Sequence, residues 1–130
     1  MSTTLPARFS LDQPGRGGGA PMAPWEQIVV DLPLVAATMR TYLDQVAVVL
    51  RPGSVTNTDQ CLRSFATYLL LHHHDISRVR DIGRAHVEGF KLWLAARPGR
   101  SGTPRATNAT LAHRLGTLRM FFLRIDEWGW

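Results

Sequence analysis

The first residues in this chain that invite chemistry are three consecutive histidines, His72-His73-His74. On a helix, neighbouring side chains point about 100° apart, so a run of three cannot converge on one ion. No cysteine completes a ligand set, and Asp75 is simply the next residue. The expectation is therefore a solvated helix end and no metal site. Tyr42 and Tyr68 fall on or beside apolar stripes, where a tyrosine is far more often a core residue than a nucleophile. The single Cys61 excludes an internal disulfide and suits a reducing compartment. Gly17-Gly-Gly19 precedes no strand–helix unit that would make it a phosphate cradle. The carboxylates are scattered singly, and no Ser/His/Asp or Cys/His arrangement can be argued. These residues predict a binding module, with no catalytic residue, no cofactor and no small-molecule substrate.

Residues suited to binding are more plentiful. In the last third of the chain Leu111, Leu115, Leu118, Phe122 and Ile125 recur at helical spacing. Beside that stripe lie Thr110, His113, Arg114, Thr117 and Arg124, a flank with two guanidinium groups and no acid. It suits a polyanion, or it is an ordinary solvated face; the residues alone leave both open. A second polar face, Thr56, Asn57, Gln60, Arg63, Ser64 and Thr67, lies opposite Thr58, Leu62, Phe65, Ala66 and Leu69. Gln and Asn can pair with adenine edges, and Arg can fork onto guanine or phosphate. It is equally the exposed side of any helix. Between residues 97 and 105 a Pro/Gly-rich loop carries Arg97, Arg100 and Arg105 without an acid, which suits either a phosphate backbone or a soluble connector.

The charge is unevenly placed. The formal net charge is +5, with pI near 10.6. Residues 1–50 hold three basic against four acidic side chains, whereas residues 51–130 hold twelve against six. All the basic residues except Lys91 are Arg. A basic half points to nucleic acid or another acidic partner and says nothing about fold.

For the elements that must carry these faces, 130 residues with 45% hydrophobic content suffice for one core. Residues 1–30 read as a flexible arm, Gly- and Pro-rich over 14–21, with Trp25–Val30 a short strand or an extended arm packing Trp25 or Ile28. Residues 31–130 read as one helical domain. A first helix is predicted from about Pro33 to Leu50, capped by Asp31, and a second from about Val55 to His73, capped by Ser54. A loop plugging Ile76, Val79 or Ile82 into the core leads to a third helix over about 84–96, with Gly83 at its cap. The fourth starts after Thr107. The predicted fold is an all-α bundle of four main helices. No stretch approaches 18 apolar residues and no signal-like segment opens the chain, so a soluble cytoplasmic protein is expected.

In order along the chain stand Arg51-Pro-Gly-Ser-Val-Thr56, Leu62-Arg-Ser-Phe65, Asp81-Ile-Gly-Arg-Ala-His-Val87, Phe90-Lys-Leu-Trp-Leu94, Thr107, and Leu115-Gly-Thr-Leu-Arg-Met-Phe-Phe122 through Glu127-Trp-Gly-Trp130. This set resembles the N-terminal core-binding, SAM-like domain of tyrosine recombinases and phage integrases, over about residues 34–130. The resemblance implies a helical domain whose second and fourth helices face the major groove and flanking phosphates of duplex DNA. Thr56, Gln60, Arg63 and Thr67, and Thr110, His113, Arg114, Thr117 and Arg124, would then be DNA-facing, with Arg100 and Arg105 beside the backbone. The family's catalytic residues belong to a separate C-terminal domain, so none is carried over. The implied partners are double-stranded DNA and a catalytic domain or other recombinase protomers. Gly83 departs from the Ser or Thr that usually caps the family's third helix. An unrelated helical DNA-binding regulator and a helical protein-interaction module are the alternatives.

Overall fold

Three prolines set where the first helices begin. In the computed structural model, which describes residues 22–96 and 108–130, α1 spans Trp25–Asp31 behind Pro24, α2 spans Pro33–Val46 and α3 spans Pro52–His72. Pro33 and Pro52 stand in first turns, where the missing N–H would have had no intrahelical partner. A 3₁₀ turn at Val79–Asp81 precedes α4, Arg84–Ala95, and α5 runs Asn108–Glu127. The described residues form five α-helices and no strand.

The hub is α3, which packs against α1, α2, α4 and α5. Every residue from Cys61 to Leu70 is buried except Arg63. The expected core residues Thr58, Leu62, Phe65, Ala66 and Leu69 are all inside. Phe65 meets Phe90 and Phe122 edge-on, with centroids 5.1 and 6.0 Å away, and Tyr42 meets Phe121 the same way at 5.0 Å. These are the T-shaped arrangements that aromatic quadrupoles favour. Both tyrosines lie in the core, as their stripes predict.

Four expectations need correction. Trp25–Val30 is neither strand nor extended arm but most of α1, so the helical body begins before residue 31. Seven residues cannot hold a helix alone; tertiary contacts do, since Ile28 is fully buried and α1 packs on α2 and α3. Asp31 does not cap α2. It ends α1 and accepts a hydrogen bond from Gln27 Nε2 at 2.8 Å, while Leu32 holds the cap position. The second correction of this kind is at α3, where Arg51 occupies the cap position and Ser54 lies inside the first turn, its carbonyl accepting from Thr58. Finally, α2 stops at Val46, and Val48 and Val49 stand exposed on the turn beyond it.

The buried side of α5 is centred on Leu118, Phe121 and Ile125, with Leu111, Leu115 and Phe122 only partly covered. The sequence stripe omits Phe121, so the true inner face is turned slightly away from Leu115 and Phe122. Those two, with Val87 and Leu123, line an open groove of about 580 Å³ between α4 and α5. Residues 1–21 and 97–107, including Arg100, Arg105 and Thr107, lie outside the described residues.

Candidate nucleic-acid interface

Two hydrogen bonds tie α3 to α5. The buried Cys61 thiol donates to the Arg114 carbonyl at 3.2 Å, and the Arg114 guanidinium donates to Ser64 Oγ at 3.2 Å. Ser64 has no solvent exposure, so it belongs to the helix contact and not to a free polar face. Burial pushes the Cys61 thiol up to about 12, and the positive charge of Arg114 offsets only part of that. A thiol in this state is a packing residue with a weak donor, not a nucleophile.

The contact at Ser64 brings two stripes together. One turn before Ser64 on α3 is Gln60, half-buried, and another turn back is the exposed Thr56. On α5, Thr110 lies one turn before Arg114 and Thr117 about one turn after, with His113 exposed beside them. Thr56 and Thr117 each donate their hydroxyl to the carbonyl four residues earlier, leaving oxygen lone pairs outward. From Gly89 to Ile125 the sequence has seven Lys/Arg and no Asp/Glu. The α5 flank therefore carries a positive charge up to Arg124, and the acids of the helix, Asp126 and Glu127, stand in its last turn.

The C-terminal half of the α3 face is not available as expected. Thr67 is fully buried: its Oγ accepts the Ala23 N–H at 2.7 Å and donates to the Arg63 carbonyl at 2.7 Å. Arg63 Nε donates to the Ala23 carbonyl at 3.1 Å, and its NH1 meets Asp59 at 3.4 Å. Asp59 in turn accepts from Trp25 Nε1 at 2.7 Å. This face clips down the segment that leads into α1. Thr67 is thus withdrawn from the DNA-facing set, and Arg63 is largely committed to holding Ala23. Arg124 lies beside the Tyr42 hydroxyl, whose proton is held more tightly chiefly because it is buried, with Arg124 opposing that effect.

A second cluster was not foreseen. His73 closes α3, its Nε2 paired with the Tyr68 hydroxyl at 2.8 Å. The His73 ring stands edge-on to His86 at 4.7 Å. His86 is three residues after Gly83 and accepts the Gly83 N–H on Nδ1 at 2.8 Å, so the cap that glycine cannot make with a side chain is made by the histidine. Asp75 completes the group: one donor atom from each of His73, Asp75 and His86 lies within 4.8 Å of the others. Neighbours in sequence offer no metal-ligating set, and the fold corrects that expectation by bringing His86 over from the next helix. A histidine at the third position of a helix behind a glycine was the available signal. His73 is held below its ordinary range by burial, then by the neighbouring His86, with Asp75 opposing.

Comparison with protein-family models, with curated proteins and with solved structures gives no match. Among the described residues no helix is long and apolar enough to cross a membrane. Tyr68 and Gly89 show how closely α3 and α4 meet, since a methyl group at 89 would collide with the Tyr68 hydroxyl.

Proposed function

We propose that this chain is a duplex-DNA-binding helical module of the core-binding, SAM-like kind that tyrosine recombinases place beside their catalytic domain. Thr56 and Gln60 on α3 and Thr110, His113, Arg114 and Thr117 on α5 face the DNA, with Arg100 and Arg105 as further phosphate contacts. Arg124 extends the α5 flank. Strand cutting and joining belong to the catalytic domain of such an enzyme, and no residue here is given a catalytic role. The observation that carries the reading is the Arg114–Ser64 contact, which joins the α5 flank to the middle of α3, one turn beyond Gln60. One continuous face then offers guanidinium, imidazole, amide and hydroxyl groups, and the α5 half of it has no acid.

The test is a fluorescence-anisotropy titration with duplex DNA at about 50 and 200 mM salt. With about three phosphate contacts, affinity falls roughly forty-fold over that range. Salt-independent binding, or none at the lower salt, removes the proposal. The groove between α4 and α5 favours a second reading, a helical protein-interaction module, because its floor of Val87, Leu115, Leu118 and Phe122 is apolar and open. Under that reading DNA length would not affect binding.

A further inference from the structure

The geometry points to a binding site for a divalent transition-metal ion, of the zinc or cobalt class, formed by His73, Asp75 and His86 where the end of α3 meets the start of α4. One donor atom from each residue lies within 4.8 Å of the other two. Donors around a four-coordinate ion at bond lengths near 2.0–2.2 Å stand roughly 3.3 Å apart. Small rotations of the three side chains therefore close the set around an ion.

The chain holds these residues in place on both sides of the gap. His73 is fixed as the α3 cap by its N–H to the Leu69 carbonyl at 2.7 Å, and its ring by Tyr68. The loop that carries Asp75 is pinned by buried Ile76 and by Asp81, whose carboxylate accepts from the Ser77 and Arg78 amides at 3.1 and 3.0 Å. His86 sits in the first turn of α4. The Tyr68 hydroxyl is the outer partner that a ligating histidine ordinarily has on its second nitrogen, and it leaves Nδ1 of His73 for the ion. Gly89 is what admits that hydroxyl, since any larger side chain would strike it.

The donor set selects the ion. Two imidazoles and one carboxylate suit zinc, cobalt, nickel or copper(II), whereas magnesium and calcium prefer all-oxygen surroundings. Three protein ligands leave a fourth position for water. Ligation also has a consequence for α4. His86 can bind through Nδ1 by releasing the Gly83 amide, or through Nε2 once Nδ1 carries the proton. Either way the Gly83 N–H loses its acceptor, so an occupied site uncaps α4.

The experiment titrates the untagged chain with Co²⁺, followed by visible d–d absorption, and with Zn²⁺, followed by competition with a chromophoric chelator and by amide NMR. One equivalent should bind, and the Gly83 amide should shift or broaden as it does. His73→Ala, Asp75→Asn and His86→Ala should each weaken binding about tenfold or more. Asp75→Asn serves where His86→Ala perturbs α4, because Asp75 is exposed and outside any helix. His72→Ala and His74→Ala should leave affinity within twofold. Absence of saturable binding at millimolar metal overturns the site. So does binding that survives Asp75→Asn and His86→Ala together, or that depends on His72 and His74 instead, which marks adventitious capture by the histidine run.

Discussion

The polar faces of α3 and α5 look alike in sequence, yet they have opposite fates in the fold. Each carries hydroxyls and arginine beside an apolar stripe. On α5 His113 stays exposed, while Arg114 spends one N–H on Ser64 and Arg124 lies beside the Tyr42 hydroxyl. On α3 the second half of the face is consumed by the segment before α1: Thr67 and Arg63 hold both backbone groups of Ala23, and Asp59 holds the Trp25 indole. The difference teaches that a polar stripe is a surface only if no other part of the chain needs its hydrogen bonds. A segment entering with an unpaired N–H and carbonyl must find partners when buried, and α3 supplied them.

The largest effect that would sharpen this comparison is chemical. Cys61 lies under the junction of the two helices, and its ionisation is pushed up from 9.0 to about 12. At a given pH below 9, the folded protein should hold about a thousandfold less thiolate than the unfolded chain. Alkylation at pH 8 should be correspondingly slow until denaturant is added; rapid native-state labelling would mean that the junction opens. The sign follows from a raised folded value: the stability is fully present below pH 9 and is lost as pH climbs from 9 towards 12.

Next comes Leu118→Ala, which removes a core side chain from the inner face of α5 and should cost about 2–5 kcal/mol in urea unfolding. An unchanged midpoint would mean that α5 is rotated and that its flank is not where the contacts put it. Thr67→Val keeps the volume but deprives the Ala23 N–H of its acceptor, for a loss of about 1–3 kcal/mol. Equal stability would return Thr67 to the free polar face.

The smallest effect separates the two arginines directly. Arg114→Ala should lower the log–log salt slope of DNA binding by about one. Arg63→Ala should leave that slope unchanged while loosening the segment at Ala23. Equal slopes in the two variants would erase the distinction drawn between the faces.

Much of the fold was legible because it rests on local signals. The stripe through Leu62, Phe65 and Leu69 is buried as its periodicity requires, and Val35, Met39 and Tyr42, which also recur at helical spacing, are buried with it. The plug at Ile76 is buried too. The first helix was not legible, since Ile28-Val29-Val30 carries β-branched residues and the helix is only seven residues long. Its stability comes from α2 and α3, which no window around Trp25 contains. The candidate interface divides the same way. The α5 flank follows from spacing alone, whereas the loss of Thr67 depends on Ala23, 44 positions earlier. The His73–His86 pair likewise forms across a loop, and the position of His86 behind Gly83 hints only at a cap.

The hold on Ala23 also determines how the molecule would bear load. A pull applied ahead of Met22 would be transmitted to α3 at Arg63 and Thr67 before α1 or α2 felt tension. Arg63 is three residues, less than one helical turn, from Gln60. The hold on Ala23 thus reaches to within one helical turn of the proposed DNA-facing surface.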